Sequence, residues 1–129
     1  MRKMKFLPAI FLLFAAYGCT SLTTAQNFHG VEVEGDEIPI ETVMVENTGW
    51  KLFKFIPIGS GDPDRPGCCS FRLFKDTTTL QNNLDMLAKE MERVGATRIV
   101  NLSSKTIDES VFMVLFTRTA CRTSAVLLK

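Results

Sequence analysis

The sequence has few of the residues on which enzymes most often depend. Its 129 residues include one tryptophan, one tyrosine and a single histidine, His29. With one histidine, no Ser-His-Asp or Cys-His arrangement is predicted, and no glycine-rich loop follows a predicted strand. The acidic residues Asp36, Glu37, Asp108 and Glu109 lie in turn-like contexts, which favour solvated charges over catalysis. We therefore predict no catalytic residue and no enzymatic activity.

Charge of one sign and long apolar stretches are also lacking. The chain has 15 lysines and arginines against 14 aspartates and glutamates, and three of the positive residues lie in the first eighteen positions. The remaining 111 residues carry a formal charge of −2, which gives no electrostatic reason to expect a nucleic-acid partner. After residue 19, no uncharged apolar stretch reaches the roughly 20 residues that a membrane-spanning helix needs.

The amino terminus has the organisation of a bacterial signal peptide. Arg2, Lys3 and Lys5 form a basic start, an apolar run covers residues 6–16, and small residues precede Cys19. Residues 16–19, Ala-Tyr-Gly-Cys, resemble the lipobox of bacterial lipoproteins. The resemblance implies that residues 1–18 are a lipoprotein signal peptide and are removed, and that Cys19 carries diacylglycerol and an N-acyl chain. A plain secretory signal with an incidental cysteine is the alternative.

The predicted anchor makes a membrane the first expected partner. Each buried acyl methylene contributes about 0.8 kcal/mol, and two chains already hold a protein stably at a bilayer. We therefore predict a protein of the bacterial envelope that faces the periplasm, with no cofactor other than the covalent lipid. In enterobacterial lipoproteins an Asp after the lipidated cysteine favours the inner membrane, so Thr20 favours the outer membrane.

Three cysteines remain once Cys19 is assigned to lipid. Thiols tend to pair in the oxidising periplasm, but the adjacent Cys68 and Cys69 cannot easily bond to each other. We predict one disulfide from Cys68 or Cys69 to Cys121, which would close a loop of about fifty residues and contribute roughly 3 to 4 kcal/mol. A zinc site formed by these thiols and His29 lacks paired C-x-x-C spacing, so no metal is predicted.

The rest of the chain predicts a short tether and a single α+β domain. Residues 20–27, TSLTTAQN, are small and polar, which predicts a lipidated flexible tether over 19–30, followed by one domain over 31–129. Apolar residues recur at helical spacing from residue 80 to 94, with Gly95 as a C-terminal cap and Asp76 or Thr78 as the N-terminal cap. Before this helix, the sequence predicts a strand over 42–46 that ends in a turn at 47–49. After it, the sequence predicts strands over 98–103, 111–116 and 124–128, with a turn at 108–109 and with 111–116 as a central strand. The predicted fold is one amphipathic helix packed on an antiparallel sheet of about four to five strands, in the order β-β-α-β-β.

The segment from Trp50 to Phe55 interleaves aromatic residues with lysines. Trp50, Phe53 and Phe55 alternate with Lys51 and Lys54 in a stretch that fits neither the strand nor the helix period. One interpretation is a hairpin strand that is buried on both faces. The other is a basic and aromatic interface, with Trp50, Phe53 and Phe55 resting on a membrane or docking an envelope partner.

The carboxy-terminal half resembles a known group of envelope proteins. A helix ending at Gly95-Ala96, a strand over 99–102 and the segment 121–127, CRTSAVL, are similar to the RcsF/YbjQ-like α/β group, which includes stress-sensor lipoproteins. In that group disulfides join the loop before the helix to the final strands, which implies a bridge between Cys68 or Cys69 and Cys121. This chain lacks the cysteines for a second bridge and a long proline-rich linker. Residues 47–61 also look like small lipoproteins with a G-W…I-P…S-G motif, from which no activity carries over.

Two functions follow from these features. The favoured one is a lipid-anchored periplasmic or outer-membrane lipoprotein with a non-enzymatic binding or structural role, in which an envelope protein is the partner. The alternative is a redox- or metal-responsive envelope sensor that uses the thiol of Cys68 or Cys69 left over from the disulfide.

Overall fold

Antiparallel strands make up most of the fold. The computed structural model describes residues 19–26, 28, 35–67, 71–111 and 115–129. Within these ranges the chain forms six strands and one helix. In chain order they are β1 (Thr20–Ala25), β2 (Pro39–Leu52), β3 (Ile56–Gly61), β4 (Phe71–Leu73), α1 (Leu80–Val94), β5 (Arg98–Val111) and β6 (Phe116–Leu128).

Strand β2 is the centre of the sheet. The strand order is β4-β3-β2-β6-β5, and every pairing is antiparallel. Strand β6 pairs with β2 along nearly its whole length. On the other side of β2, β1 pairs with residues 42–47 and β3 with residues 49–52. The start of β1 and the end of β3 therefore meet beside the middle of β2.

The predicted α+β fold with the order β-β-α-β-β on four to five strands is wrong. Six strands occur in the described residues, and four of them precede the helix. One cause is the turn predicted at residues 47–49, through which β2 continues without interruption to Leu52. Asn47 and Gly49 are turn formers by composition, but here the Asn47 amide bonds to Thr77 and Gly49 leaves room for Ser60 and Thr78. Asparagine and glycine therefore occur at these positions because of contacts with distant residues, and not because the chain turns there.

The segment predicted as a tether begins with a strand. Residues Thr20–Ala25 pair with β2 in register, with Thr20 opposite Asn47 and Ala25 opposite Thr42. Thr20 is fully buried and Leu22 packs against the core, so the sequence TSLTTA alternates between the two faces of the sheet. The ordered sheet therefore starts directly after Cys19, ahead of the predicted domain start at residue 31.

The predicted strand over 111–116 is also wrong. Val111 ends β5, Leu115 lies in a turn and Phe116 begins β6; residues 112–114 lie outside the described residues. Asp108 and Glu109, which were expected to form the turn, are paired residues of β5. Val111 and Leu115 are exposed and Phe116 is half-buried, so the described residues of this segment do not form a continuous buried strand.

Helix α1 covers one face of β2 and β6. The core on this face consists of aliphatic side chains from the three elements: Val43, Val45, Met86, Leu87, Ala125 and Leu127. The second face also carries buried side chains, among them Trp50 and Leu128. Among the described residues, no helix has the length and hydropathy that a membrane span requires.

The predicted helix over 80–94 is confirmed, but its N-terminal cap is a different residue and its buried face differs from the predicted apolar stripe. Thr79 is the N-terminal cap, since its side chain accepts a hydrogen bond from the Asn82 N–H, and Gly95 closes the helix at φ 69°. Leu80, predicted to be in the apolar stripe, is 47% exposed, whereas Asn83 is fully buried. Asn83 Nδ2 donates to the Cys121 carbonyl at 2.8 Å and to Thr123 Oγ1 at 3.1 Å. The first turns of α1 therefore pack on a polar part of the sheet, where an amide side chain finds partners.

Candidate functional site

Cys19 is held at the middle of the sheet by its backbone. The Cys19 N–H donates to Thr48 Oγ1 at 2.8 Å, and the Cys19 carbonyl accepts from the Thr48 N–H and the Thr48 hydroxyl, both at 2.9 Å. The Cys19 side chain is half-buried, with its sulfur 3.9 Å from the Gly67 carbonyl oxygen. The residue predicted to carry lipid is therefore joined to the folded domain rather than to a flexible segment.

A buried polar network continues from Cys19 into the domain. The Thr20 hydroxyl donates to Asn47 Oδ1 at 2.9 Å, and Asn47 Nδ2 donates to the Thr77 carbonyl. The Thr77 hydroxyl lies 2.6 Å from the Gly61 carbonyl and 2.7 Å from Ser60 Oγ. Thr20, Asn47, Ser60 and Thr77 are each at most 1% exposed. Buried polar groups cost free energy unless they are paired, and these pair with one another.

Gly61 leaves the space that the start of β1 occupies. A Cβ atom at residue 61 would lie 2.1 Å from Thr20 Oγ1 and 2.5 Å from the Thr20 nitrogen. No side chain can be accommodated at those distances, since both atoms belong to a fully buried residue. We call the group Cys19, Thr20, Asn47, Thr48, Ser60, Gly61 and Thr77 the Cys19 seat.

The far end of the sheet carries exposed apolar side chains. Strand β2 ends at Leu52, and the Phe53 N–H donates to the Leu115 carbonyl at 2.8 Å, which joins the β2–β3 turn to the residues before β6. Seven large apolar residues of this end are between 38% and 74% exposed. They are Phe53, Phe55, Ile56, Leu73, Phe74, Val111 and Leu115, and we call them the apolar end.

Phe53 and Phe74 of the apolar end have an unfavourable backbone conformation, with positive φ. Phe53, Lys54 and Phe74 have φ of 51°, 70° and 54°, in the left-handed region that non-glycine residues seldom adopt. Each such residue costs roughly 1 to 2 kcal/mol. The turn at Phe53 and Lys54 presents Phe53 and Phe55 side by side, with ring centroids 6.4 Å apart. Strain of this kind is found where a structure holds side chains in position for function.

The charge beside the apolar end is positive. Lys54 and Lys75 are exposed, and neither ammonium lies in a salt bridge within the described part of the chain. Lys51 is paired with Asp76 at 2.7 Å. Burial alone would raise the pKa of Asp76, but the hydrogen bonds from Lys51 and Thr78 outweigh it and lower that pKa. The apolar end therefore combines phenyl and aliphatic groups with two lysines that lack an acidic partner among the described residues.

The structure separates the three residues of the predicted aromatic interface. Trp50 is 8% exposed and lies within β2, opposite Gly59 and Arg118. Phe53 and Phe55 are 47% and 74% exposed on the turn that follows. Trp50 is buried together with its three preceding neighbours in β2, and no local pattern could locate the turn only three residues further on.

The predicted disulfide involves residues of which only one is described. Cys121 is fully buried on β6 and forms no disulfide with the other described cysteine, Cys19; its sulfur lies 3.9 Å from Thr106 Oγ1 and 4.0 Å from Ser104 Oγ. Cys68 and Cys69 lie outside the described residues, as does His29, so their pairing with Cys121 stays a prediction. No cluster of three potential metal ligands occurs among the residues described.

A pair of neighbouring carboxylates, one buried and one half-buried, was not anticipated. Glu41 on β2 and Glu90 on α1 lie next to each other, and Arg93 is hydrogen-bonded to Glu90 and lies 3.8 Å from Glu41. The hydrogen bonds from Arg93 lower the pKa of Glu90. Burial raises the pKa of Glu41, and the Glu90 carboxylate raises it further. Opposed shifts of this kind occur in catalytic pairs, but neither carboxylate lines the groove described next.

A groove on the surface of the domain is lined by paired charges. It lies between α1 and the loop before β4, and Arg72 bridges Asp62 and Asp64 at 2.9 and 2.6 Å. Lys89 adds a contact to Asp64 at 3.0 Å, and the hydrogen bonds from Lys89 and Arg72 lower the pKa of Asp64. None of the residues singled out from the sequence lines this groove.

Comparison with known proteins adds no relative. No protein-family model, curated protein or solved structure matches the chain. The Cys19 seat and the apolar end are therefore interpreted from their own residues.

Proposed function

We propose that this chain is a lipid-anchored, non-enzymatic protein of the bacterial envelope, with Cys19 as the lipidated residue. The observation that carries the proposal is the Cys19 seat, because a buried polar network fixes the backbone of the residue that follows the signal-like segment. Five other residues of the domain are arranged so that Cys19 and Thr20 dock without a spacer.

The hydrogen bonding of Cys19 suits a modified amino terminus. An N-acylated cysteine keeps one N–H, and Cys19 donates its N–H to Thr48 Oγ1. The carbonyl is bonded to Thr48 as well, so the backbone is satisfied while the sulfur stays at the surface beside Gly67. Lipid on this sulfur would hold the domain itself against the bilayer, rather than at the end of a tether.

The apolar end is the surface we assign to membrane contact. From Thr48 to Phe53 the chain advances five residues along β2, about 17 Å in an extended strand. Acyl chains at Cys19 would bring this end to the headgroup region, where phenyl rings enter the interface and lysines attract anionic lipids. The side chains there are hydrocarbon and cationic, which suits a phospholipid surface.

The anchor is tested by metabolic labelling with palmitate and by mass spectrometry of the membrane fraction. Wild-type protein should be labelled, should start at Cys19 and should sediment with membranes. Cys19→Ser should lose the label and keep residues 1–18, since the processing chemistry requires the thiol. The matched control Cys121→Ser should keep the label. Unlabelled wild-type protein in the soluble fraction would contradict the proposal.

The other predictions about location and sensing stay predictions. A place in the outer membrane rests on Thr20 alone. A redox or metal sensor would depend on Cys68 and Cys69, which lie outside the described residues, so no described contact favours it.

A further inference from the structure

Strand β5 presents a long and exposed edge. It is the last strand in the sheet order, and β6 is the strand that pairs with it in the described part of the chain. Residues 101–111 are all exposed except Ile107, which is half-buried. An unpaired strand edge presents N–H and carbonyl groups to which another strand can add. Strand β5 is 14 residues long, whereas edge strands are commonly short.

The charges of β5 are incompletely matched within the chain. Lys105 lies directly opposite Arg122 of β6, and like charges placed opposite each other are destabilising. Arg122 is paired with Glu46 at 2.7 Å, but Lys105 has no salt bridge among the described residues. Glu109, on the same face of β5, lies opposite Arg118 at 3.6 Å and is 60% exposed. A carboxylate opposite Lys105 on the free side of β5 would supply the missing partner.

We propose that β5 pairs antiparallel with β5 of a second copy of this chain, about a two-fold axis at Ile107. The two sheets would then join into one, with each residue opposite a residue of the same face. In this register Lys105 lies opposite the second copy's Glu109, and the pair occurs twice. Thr106 lies opposite the second copy's Asp108, and the two Ile107 side chains meet at the axis.

Neighbouring registers lack this match. An axis at Lys105 places the two Lys105 residues opposite each other, and an axis at Asp108 does the same with the two carboxylates. An axis at Thr106 leaves Lys105 opposite Ile107. Among these four positions only Ile107 pairs opposite charges, which favours a second copy over an unrelated strand as the occupant.

The first part of β5 limits the extent of the pairing. The register with β6 shifts between Val100 and Ser103, and Asn101 has φ of 53°. Irregularities of this kind bend an edge strand and block further pairing. The proposed contact therefore covers residues 103–111, where every residue of the stretch is paired in register with β6.

Cysteine crosslinking of the full chain in intact cells tests the contact. At the two-fold axis, Ile107→Cys places two thiols at the separation of directly opposite strand residues, which a disulfide can bridge. We expect mild oxidation to produce a dimer joined through residue 107, identified by mass spectrometry of the linked peptides. The control Ser103→Cys lies on the same face and strand, but the two copies of residue 103 would be about 27 Å apart.

Charge reversal tests the register. In the Ile107→Cys background, Lys105→Glu or Glu109→Lys alone turns both attractive pairs into repulsive ones and should lower the dimer yield about tenfold. The two changes together should restore the yield. Circular dichroism of each variant verifies that the fold is kept.

The proposal would be overturned by equal crosslinking at residues 103 and 107, by crosslinks from residue 107 to a different protein, or by a double variant as weak as the single ones. None of these outcomes depends on the lipid at Cys19.

Discussion

The Cys19 seat and the apolar end both depart from the usual distribution of side chains in a folded protein. The seat buries polar groups, whereas the apolar end exposes hydrophobic ones. In the seat, hydroxyl and amide groups are at most 4% exposed, and each is hydrogen-bonded to a neighbour. At the apolar end, phenyl and aliphatic groups are exposed, and Phe53 and Phe74 have an unfavourable positive φ. Strands β2 and β3 connect the two regions, because Asn47, Thr48, Ser60 and Gly61 of the seat lie on them and Phe53 and Phe55 lie in the turn between them.

The difference shows which region belongs to the folding of the domain. A buried polar network stabilises a structure only when all its members are present, because an unpaired buried group costs roughly 1 to 3 kcal/mol. Exposed apolar side chains contribute little to folding, and strained turns oppose it. The seat should therefore be needed for stability, and the apolar end for what the folded protein contacts.

The largest effect is expected in the seat, from Asn47→Ala. The substitution removes the partner of the buried Thr20 hydroxyl and one donor to the Thr77 carbonyl. We expect the free energy of unfolding, measured by urea denaturation, to fall by about 2 to 3 kcal/mol. Asn82→Ala is the matched control, since Asn82 donates to the same carbonyl at 2.9 Å from a half-buried position, and it should cost about 1 kcal/mol. If the two variants lost the same free energy of unfolding, the seat would be no more important for stability than the residues around it.

A second effect is expected at the apolar end, on membrane binding rather than on stability. Phe53→Ser with Phe55→Ser, in residues 19–129 carrying Cys19→Ser, should weaken binding to phosphatidylethanolamine and phosphatidylglycerol vesicles about 30-fold. The estimate assumes that partial burial of two phenyl rings contributes roughly 2 kcal/mol. Sedimentation with vesicles measures the binding, and urea denaturation should be nearly unchanged.

The control for this experiment is Leu102→Ser. Leu102 is 53% exposed on β5, away from the apolar end, so its substitution should leave vesicle binding as it was. If the double phenylalanine variant instead unfolded at lower urea, the apolar end would be part of the folded core.

The smallest effect is expected from Lys54→Gly. Lys54 has φ of 70°, which glycine adopts without steric cost, so the free energy of unfolding should rise by about 1 kcal/mol. Lys75→Gly removes a comparable exposed lysine from a residue without positive φ, and it should give no gain. A gain at both positions, measured by urea denaturation, would mean that charge rather than backbone strain limits stability there.

Features set by neighbouring residues could be predicted, and those set by distant ones could not. The helix over Leu80–Val94 and its Gly95 cap follow from spacing within a few turns, and both are present. The inner face of that helix was misjudged, because Asn83 is buried by a bond to the Cys121 carbonyl, 38 residues away. For the same reason, Asn47 and Gly49 suggested a turn in what is an unbroken strand.

The candidate site shows the same division. Cys19 was singled out because the residues before it resemble a signal peptide and a lipobox, patterns that lie in contiguous sequence, and its lipidation stays a prediction. The rest of the seat had no signal in the sequence, since its threonines, serine and asparagine are spread over positions 20 to 77 and no short motif joins them. Phe53 and Phe55 were singled out by composition, but only the position of the β2–β3 turn separates them from the buried Trp50.

Local sequence thus suffices for the helix, its C-terminal cap and the expectation of an anchor, because each depends on side chains within one or two turns of each other. Tertiary pairing decided that the residues after Cys19 form a strand, that Gly61 receives them, and that one end of the sheet is left apolar and exposed. Strand pairing is decided by which segments bury and hydrogen-bond each other across the whole chain, and a short polar segment such as TSLTTA carries too little pattern of its own to reveal its partner.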